Sequence, residues 1–176
     1  DSSAGNALTD TSANATNEGE PAYYKVIAVD STGTEITSPA AGTVDVVFTN
    51  GTAGNADYAN ATQNVTIGQV FQSNATDDLI SDDEETFTVN LGANSTIAGA
   101  ITTAYEAVEN STDTVTTTIH DETTPGGTPN TPTPGPEDTV YAVIESNGAV
   151  TEGTDSIFTV SLIDQNGNAV SVTQDM

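Results

Sequence analysis

Apolar and polar residues alternate along several short segments of this chain, and this period-two pattern limits its fold more than any other feature. Tyr24, Val26 and Ala28 occupy every second position of one such segment. The pattern recurs at Val44, Val46 and Phe48, at Phe87, Val89 and Leu91, and at Phe158, Val160 and Leu162. A spacing of two is typical of strands with one buried face, and no stretch has helical periodicity. The sequence therefore predicts an all-β protein.

Turn signals separate the alternating segments. Asn-Gly pairs begin at Asn50, Asn147 and Asn166, each beside an alternating run. The pair favours tight turns because both residues tolerate a positive φ. Short strands separated by such turns are typical of two packed sheets. We therefore predict an immunoglobulin-like antiparallel β-sandwich.

The charge of the chain excludes several classes of function. Against 26 Asp and Glu there is a single Lys or Arg, Lys25, so the formal net charge is −25. Such a polyanion cannot neutralise phosphates, which excludes nucleic acid as a partner, and no apolar run is long enough for membrane insertion. Without Cys and with one His, the chain lacks most groups used in nucleophilic and acid–base catalysis. We expect no enzyme, but a solvated extracellular module or a binder of hard cations.

A proline-rich stretch divides the chain. Residues 123–137 read TTPGGTPNTPTPGPE and contain five of the seven prolines. This composition cannot pair as a central strand or bury a core, so it predicts an extended, semi-rigid linker. The chain is thereby divided into a sandwich repeat over residues 1–122 and a shorter segment over residues 138–176.

The shorter segment resembles the beginning of the first one. Residues 151–170 align with residues 17–36 at a constant offset of 134 residues, and the alignment matches turn glycines, acidic positions and the apolar alternation. We therefore predict tandem repeats, with the opening strands of a second, incomplete unit after the linker. Two completions stay open: neighbouring repeats of the same chain, or another copy of the chain through strand addition.

An acidic run precedes one of the predicted strands. Six of the nine residues from Asp77 to Glu85 are carboxylates, which repel one another unless something neutralises them. One interpretation is a Ca²⁺ site, because Ca²⁺ takes six to eight oxygen ligands at flexible geometry. The other is a solvated acidic loop. The run alone does not decide between them.

Four motifs follow one another along the chain: Glu18-Gly19, GTVDVVFTNGTAGNADYA over residues 42–59, DDLISDDEETFTVNL over residues 77–91 and TVTTTIHDE over residues 114–122. In this order they resemble the motifs of the Calx-β domain, the sandwich of sodium/calcium exchangers and of repeat arrays in bacterial adhesins. The resemblance covers residues 17–122, and the opening strands recur from Thr139. It implies a sandwich of the Calx-β type.

The resemblance also implies Ca²⁺ as the cofactor, held where turns converge at one end of the sandwich. The implied ligands are Glu18, Asp57, Asp77, Asp78, the carbonyl group of Ile80, Asp82, Glu85, Asp121 and Glu122. His120 stands where the family pattern has an acidic residue. It is either a further ligand or, as we expect, a residue at the solvent-exposed edge of a strand end.

By resemblance, the function is that of an extracellular calcium-binding structural repeat, secreted and located at the cell surface. Such repeats extend and stiffen long bacterial surface adhesins of the RTX type for adhesion or biofilm formation. Two alternatives stay open: a subunit of a self-assembling filament or sheath completed by strand addition between chains, and a glycan- or peptide-binding module. Tyr23, Tyr24 and Tyr105 could form a sugar-binding face, although we expect them to take part in core and edge packing.

Overall fold

The computed structural model describes residues 4–10, 15–78, 80, 84–121 and 139–170, with the backbone alone for residues 4–10. The elements are β1 (Ala4–Asp10), β2 (Ala15–Asn17), β3 (Pro21–Val29), β4 (Thr43–Asn50), β5 (Gln63–Thr66), β6 (Val70–Asn74), β7 (Glu85–Leu91), α1 (Ile101–Ala104), β8 (Val108–Asn110), β9 (Thr114–His120), β10 (Tyr141–Ser146) and β11 (Phe158–Ile163). The predicted linker over residues 123–137 lies outside the described residues.

Nine of the strands form two sheets, which confirms the all-β sandwich. One sheet has the order β6-β3-β1-β8 and the other has the order β2-β9-β7-β4-β5. Most neighbours are antiparallel, but β1 pairs with β8 and β2 pairs with β9 in parallel. Both exceptions belong to the first strands of the chain, of which β1 lies in one sheet and β2 in the other.

The core lies between the two sheets and contains the residues that the alternation predicted. In β3, Tyr24 and Val26 are almost fully buried, while the intervening Lys25 is half-buried. The hydroxyl groups of Tyr24 and of Thr117 in β9 form a 2.6 Å hydrogen bond that joins the two sheets. The opposing sheet contributes Val44, Val46, Phe48, Phe87, Val89, Leu91 and Ile119. The period-two pattern therefore describes one face of each sheet.

An aromatic cluster of Phe48, Tyr58 and Phe87 fills one end of this core. The rings of Tyr58 and Phe87 are stacked with their centroids 4.0 Å apart, and each ring lies 6.4 Å from Phe48. Phe87 lies opposite Asn50, the last residue of β4, so the cluster is near the end of the sandwich where β4 ends and β7 begins.

A single helical turn, α1, lies at the opposite end of the sandwich. Its sequence shows no helical periodicity, so it was not predicted. Ile101 of α1 is fully buried, and its N–H donates to the carbonyl oxygen of Ala41, just before β4 begins. Gly42 leaves the space that the Ile101 side chain occupies, since a Cβ atom there would collide with Ile101 Cγ2. No helix in the described part of the chain has the length and apolar character needed to cross a bilayer.

The last two strands form a separate antiparallel pair, β10 with β11. The predicted alternation falls in β11, and its apolar face is exposed within the described residues. Phe158 is 59% exposed and Val160 is 67% exposed. The reason is that no second sheet within the described residues packs against this face. The alternation therefore makes one face of β11 apolar, and that face is exposed to solvent.

Candidate metal centre

Several predicted ligands come to one end of the sandwich because of how the strands are paired. The parallel pairing of β2 with β9 sets Asn17 opposite His120, and the Glu18 N–H donates to the His120 carbonyl oxygen at 3.0 Å. Glu18 therefore lies directly beside the end of β9. Asp121 follows in the next position, so these two carboxylates come from elements about a hundred residues apart in the sequence.

The acidic loop after β6 reaches the same end. The Asp78 N–H donates to Glu18 Oε2 at 3.4 Å, which brings the loop to the buried carboxylate. The Asp78 side chain in turn accepts the Ile80 N–H at 2.6 Å and so orders the turn that follows. Asp77 is exposed. The side chain of Glu18 and the backbone of Asp78 are thus in direct contact.

Asp57 is held near this end by its own loop. Its carboxylate accepts the Gly54 N–H, and its backbone carbonyl oxygen accepts the Thr76 N–H at 2.7 Å. The Thr76 contact ties the loop to the residues just before Asp77. Gly54 and Thr76 were not predicted, because backbone donors leave no side-chain signal in the sequence; only the turn-rich composition around Gly54 indicates a loop.

Glu85 enters from the start of β7. It is half-buried and lies opposite Ile119, two positions before Asp121. Pairing of β7 with β9 therefore places the beginning of one strand and the end of the other at the end of the sandwich that holds Glu18.

Burial distinguishes two of these carboxylates from an ordinary solvated acidic surface. Glu18 is 5% exposed and Asp121 is 7% exposed. The only Lys or Arg of the chain, Lys25, lies 3.2 Å from Glu35 in another part of the sheet. Glu18 and Asp121 are therefore withdrawn from water in a chain whose formal net charge is −25.

The predicted ligand set is only partly assembled in the described residues. Within that part of the chain, no three His, Asp or Glu side chains are grouped closely enough to hold a metal ion. Asp82 and Glu122 lie outside the described residues. The carboxylate and backbone oxygens at this end are of the kind that Ca²⁺ prefers, and the chain has no Cys to supply the thiolate ligands typical of zinc.

The expectation that His120 lies at a solvent-exposed strand edge is wrong, since this residue is 5% exposed. It does end β9, but the segment from β2 to Glu18 covers that end. The sequence pattern identified the strand end correctly. It did not reveal the neighbouring segment, which only the parallel pairing brings there.

The three tyrosines do not form one aromatic face. Tyr23 and Tyr24 are consecutive in β3 and point to opposite sides of the sheet; Tyr24 is in the core and Tyr23 is 43% exposed. Tyr105 packs against the edge of the core. The expected packing role is therefore confirmed for Tyr24 and Tyr105.

Ionisation of Tyr58 makes the stability of the folded protein fall at alkaline pH. Burial, and secondarily the charge of Asp57, raise the pKa of Tyr58 above its usual value of 10.0. The unfolded chain therefore loses this proton first, and stability that is present below pH 10 falls as the pH rises through the folded-state value.

We expect urea unfolding between pH 8 and pH 11 to show this decline, and Tyr58→Phe to flatten part of the slope. The substitution also removes the 2.7 Å hydrogen bond from the Tyr58 hydroxyl to Asn50 Oδ1, so the slope and not the absolute stability is the readout. Tyr23→Phe, which alters an exposed ring, is the matched control. Equal slopes for the two variants would contradict the assignment to Tyr58.

Two facing sheets with a continuous apolar core define the chain as a β-sandwich protein. No protein-family model matches the chain, and no curated protein matches it. Among solved structures, it is similar to the apo form of the Calx CBD1 domain, with a TM-score of 0.47 and 14% identity over 68% of this chain and 97% of that domain. It is also similar to CBD12 from CALX1.2, with a TM-score of 0.45 and 13% identity over 87% of this chain and 69% of that one.

A weaker similarity links the chain to a CARDB domain from Pyrococcus furiosus. That domain was solved in complex with di-metal ions. The TM-score is 0.30 and the identity is 15%, over 69% of this chain and 88% of that one.

Proposed function

We propose that the sandwich is a calcium-binding structural repeat. The observation that carries this proposal is the burial of Glu18 and Asp121 at one end of the sandwich, where the Glu18 side chain contacts the segment that brings Asp78 there. Ca²⁺ takes carboxylate and carbonyl oxygens as ligands, and the oxygens gathered at this end of the sandwich are of that kind.

The residues that would hold the ion come from turns that are far apart in sequence. Glu18 and Asp121 would provide buried carboxylates, while Asp78 and Glu85 would provide half-buried ones. Asp57, Asp77, Asp82, Glu122 and the Ile80 carbonyl group complete the set implied by the Calx-β motifs. The ion would join the ends of β2, β7 and β9 with the acidic loop, and so would stiffen that end of the sandwich.

At the level of the whole protein, we propose a role as an extender repeat in a secreted bacterial surface adhesin. The order of the Calx-β motifs supports this role, as do the surplus of acidic residues and the proline-rich residues 123–137. Neighbouring repeats of the same chain would be its principal partners. The repeat would contribute length and rigidity to adhesion at the cell surface, and no chemistry of its own.

A thermal melt with Ca²⁺ or chelator tests the calcium proposal. Binding to the folded state alone adds RT ln(1 + [L]/Kd), which is about 2.7 kcal/mol when the free ion is at a hundred times its Kd. For a domain of this size, we expect the Tm to rise by roughly 10 °C. Isothermal titration calorimetry then gives the Kd and the number of ions.

The control must separate binding from charge screening. Added NaCl also weakens repulsion among carboxylates, so the melt is repeated in chelator at an ionic strength matched to the calcium sample. An equal Tm rise with NaCl, together with no heat of Ca²⁺ binding, would show that the acidic loop is only solvated and would overturn the proposal.

A further inference from the structure

The β10–β11 pair has one strongly apolar face that is open to solvent. The register sets Ile144 opposite Val160, so their side chains share a face, and Phe158 lies on that face two positions from Val160. Ile144 is 69% exposed, Val160 is 67% exposed and Phe158 is 59% exposed. An isolated two-stranded pair is at best marginally stable in water, so a face of this kind needs a covering layer.

The turn after β11 repeats the backbone hydrogen bonds of the turn after β3. Asp30 accepts the N–H groups of Thr32 and Thr34 on Oδ1, at 2.8 and 3.0 Å. Asp164 accepts the N–H groups of Asn166 and Asn168 on Oδ1, both at 2.8 Å. The corresponding residues differ by 134 positions in every case. A side-chain hydrogen bond, from Thr32 in one turn and from Asn168 in the other, holds the pKa of each aspartate below its usual 3.8.

Backbone geometry repeats at the same interval. Gly33 and Gly167 have φ values of 83° and 82°, and Gly19 and Gly153 have φ values of 71° and 90°. The pairing of the preceding strands also corresponds. The register of β1 with β3 ends at Val29, opposite Gly5, and that of β10 with β11 ends at Ile163, opposite Tyr141. The β10–β11 pair is therefore the structural equivalent of β1 with β3.

This equivalence identifies the open face. Phe158 and Val160 correspond to Tyr24 and Val26, whose side chains are 1% and 0% exposed. In the first unit, that face is covered by the sheet β2-β9-β7-β4-β5, which presents alternating valine and phenylalanine residues. The exposed residues of β11 thus occupy the positions where the first unit meets its second sheet.

We propose that the Ile144, Val160 and Phe158 face is a docking surface for a five-stranded β-sheet of the type formed by β2, β9, β7, β4 and β5. The occupant presents an apolar face of alternating valine and phenylalanine and closes a second sandwich over the hairpin. The first unit already contains one such packing, between the equivalent strands β1 and β3 and the sheet β2-β9-β7-β4-β5. Docking of this face needs no bound cation.

The test is a lengthened chain that follows the constant offset of the repeat. A second copy of residues 37–121 is placed directly after Val170, in the position that residues 37–121 hold after Ile36 in the first unit. We expect hydrogen exchange of the β11 amides to slow by at least about tenfold relative to the original chain, because exchange then requires opening of a packed sandwich. Unchanged exchange in the lengthened chain would overturn the proposal.

Two substitutions determine whether the slowing comes from this face. Val160→Asp places a charge on the docking face and should restore fast exchange in the lengthened chain. Thr159→Asp introduces the same charge on the opposite face of the same strand and should leave the exchange slow. Slow exchange in the Val160→Asp variant would overturn the proposal.

Sedimentation equilibrium of the original chain tests another occupant. Monomers at all concentrations support a covering sheet of the kind proposed. Dimers or fibres that disappear in the Val160→Asp variant would show that a second copy covers the face, and would overturn the proposal in favour of strand exchange between chains.

Discussion

Replacing Phe87 with alanine is expected to lower the free energy of unfolding by about 3–5 kcal/mol, which is a large share of the stability of a domain of this size. Phe87 is 1% exposed, stacks on Tyr58 with ring centroids 4.0 Å apart and lies 6.4 Å from Phe48. Truncation removes apolar contact area and leaves a cavity that the paired strands β4, β7 and β9 cannot collapse into. Urea unfolding should show a midpoint lowered by about 2 M.

The same substitution at an exposed phenylalanine provides the matched control for Phe87→Ala. Phe158 is 59% exposed, so Phe158→Ala should change the stability of the first sandwich by less than about 0.5 kcal/mol. Equal losses for the two variants would show that the aromatic cluster does not stabilise the core. In the lengthened chain proposed above, Phe158→Ala should lower the free energy of unfolding of the second sandwich, because the Phe158 face would then be covered.

Glu18→Gln is expected to weaken Ca²⁺ binding by at least about tenfold, equivalent to about 1.4 kcal/mol. Glutamine keeps the size of the side chain and an oxygen that can accept the Asp78 N–H, so the fold around Glu18 should persist. It removes the negative charge, which is the part of the side chain that attracts a divalent cation most strongly.

In chelator the same variant should have the opposite effect on stability. Glu18 is 5% exposed and shares its end of the sandwich with Asp121, so a neutral side chain lowers both the desolvation cost and the repulsion between carboxylates. We expect Glu18→Gln to melt at a higher temperature than the parent without Ca²⁺ and to gain less from Ca²⁺. Paired melts and calorimetric titrations measure both effects.

Glu106→Gln is the control for Glu18→Gln because it makes the same change in net charge. Glu106 is exposed and follows α1, at the opposite end of the sandwich. It should leave both the Kd for Ca²⁺ and the melting temperature in chelator near those of the parent. If Glu18→Gln and Glu106→Gln change the Kd and the melting temperature equally, these changes come from the total charge of the chain and Glu18 is not a ligand.

Much of the fold could be predicted from the sequence because burial in a strand is a local signal. Val44, Val46, Phe87 and Val89 alternate in the sequence and are all buried in the structure. In β11, which was predicted to belong to an incomplete unit, Val160 alternates in the same way and is exposed. A strand specifies which face is apolar, but the presence of a second sheet against that face depends on other segments.

The candidate site was less accessible to sequence reasoning. The motifs placed Glu18, Asp78 and Asp121 in turns, and the structure brings these turns to one end of the sandwich. They did not predict that Glu18 and Asp121 are buried, or that His120 is covered by the segment after β2. Burial at a strand end depends on which segment crosses it, and that crossing is a contact between residues distant in sequence.

The sequence by itself determined the class of fold, the polyanionic character and the repetition of the Asp30 turn at Asp164, because alternation, charge and turn chemistry are encoded by residues close together in the chain. Only the tertiary structure decided which acidic side chains are withdrawn from water and which strands cover the apolar face of β3. Both outcomes depend on sheet order and on pairings between residues such as Asn17 and His120, more than a hundred positions apart. No local pattern can specify those contacts, since they exist only once the strands have found their partners.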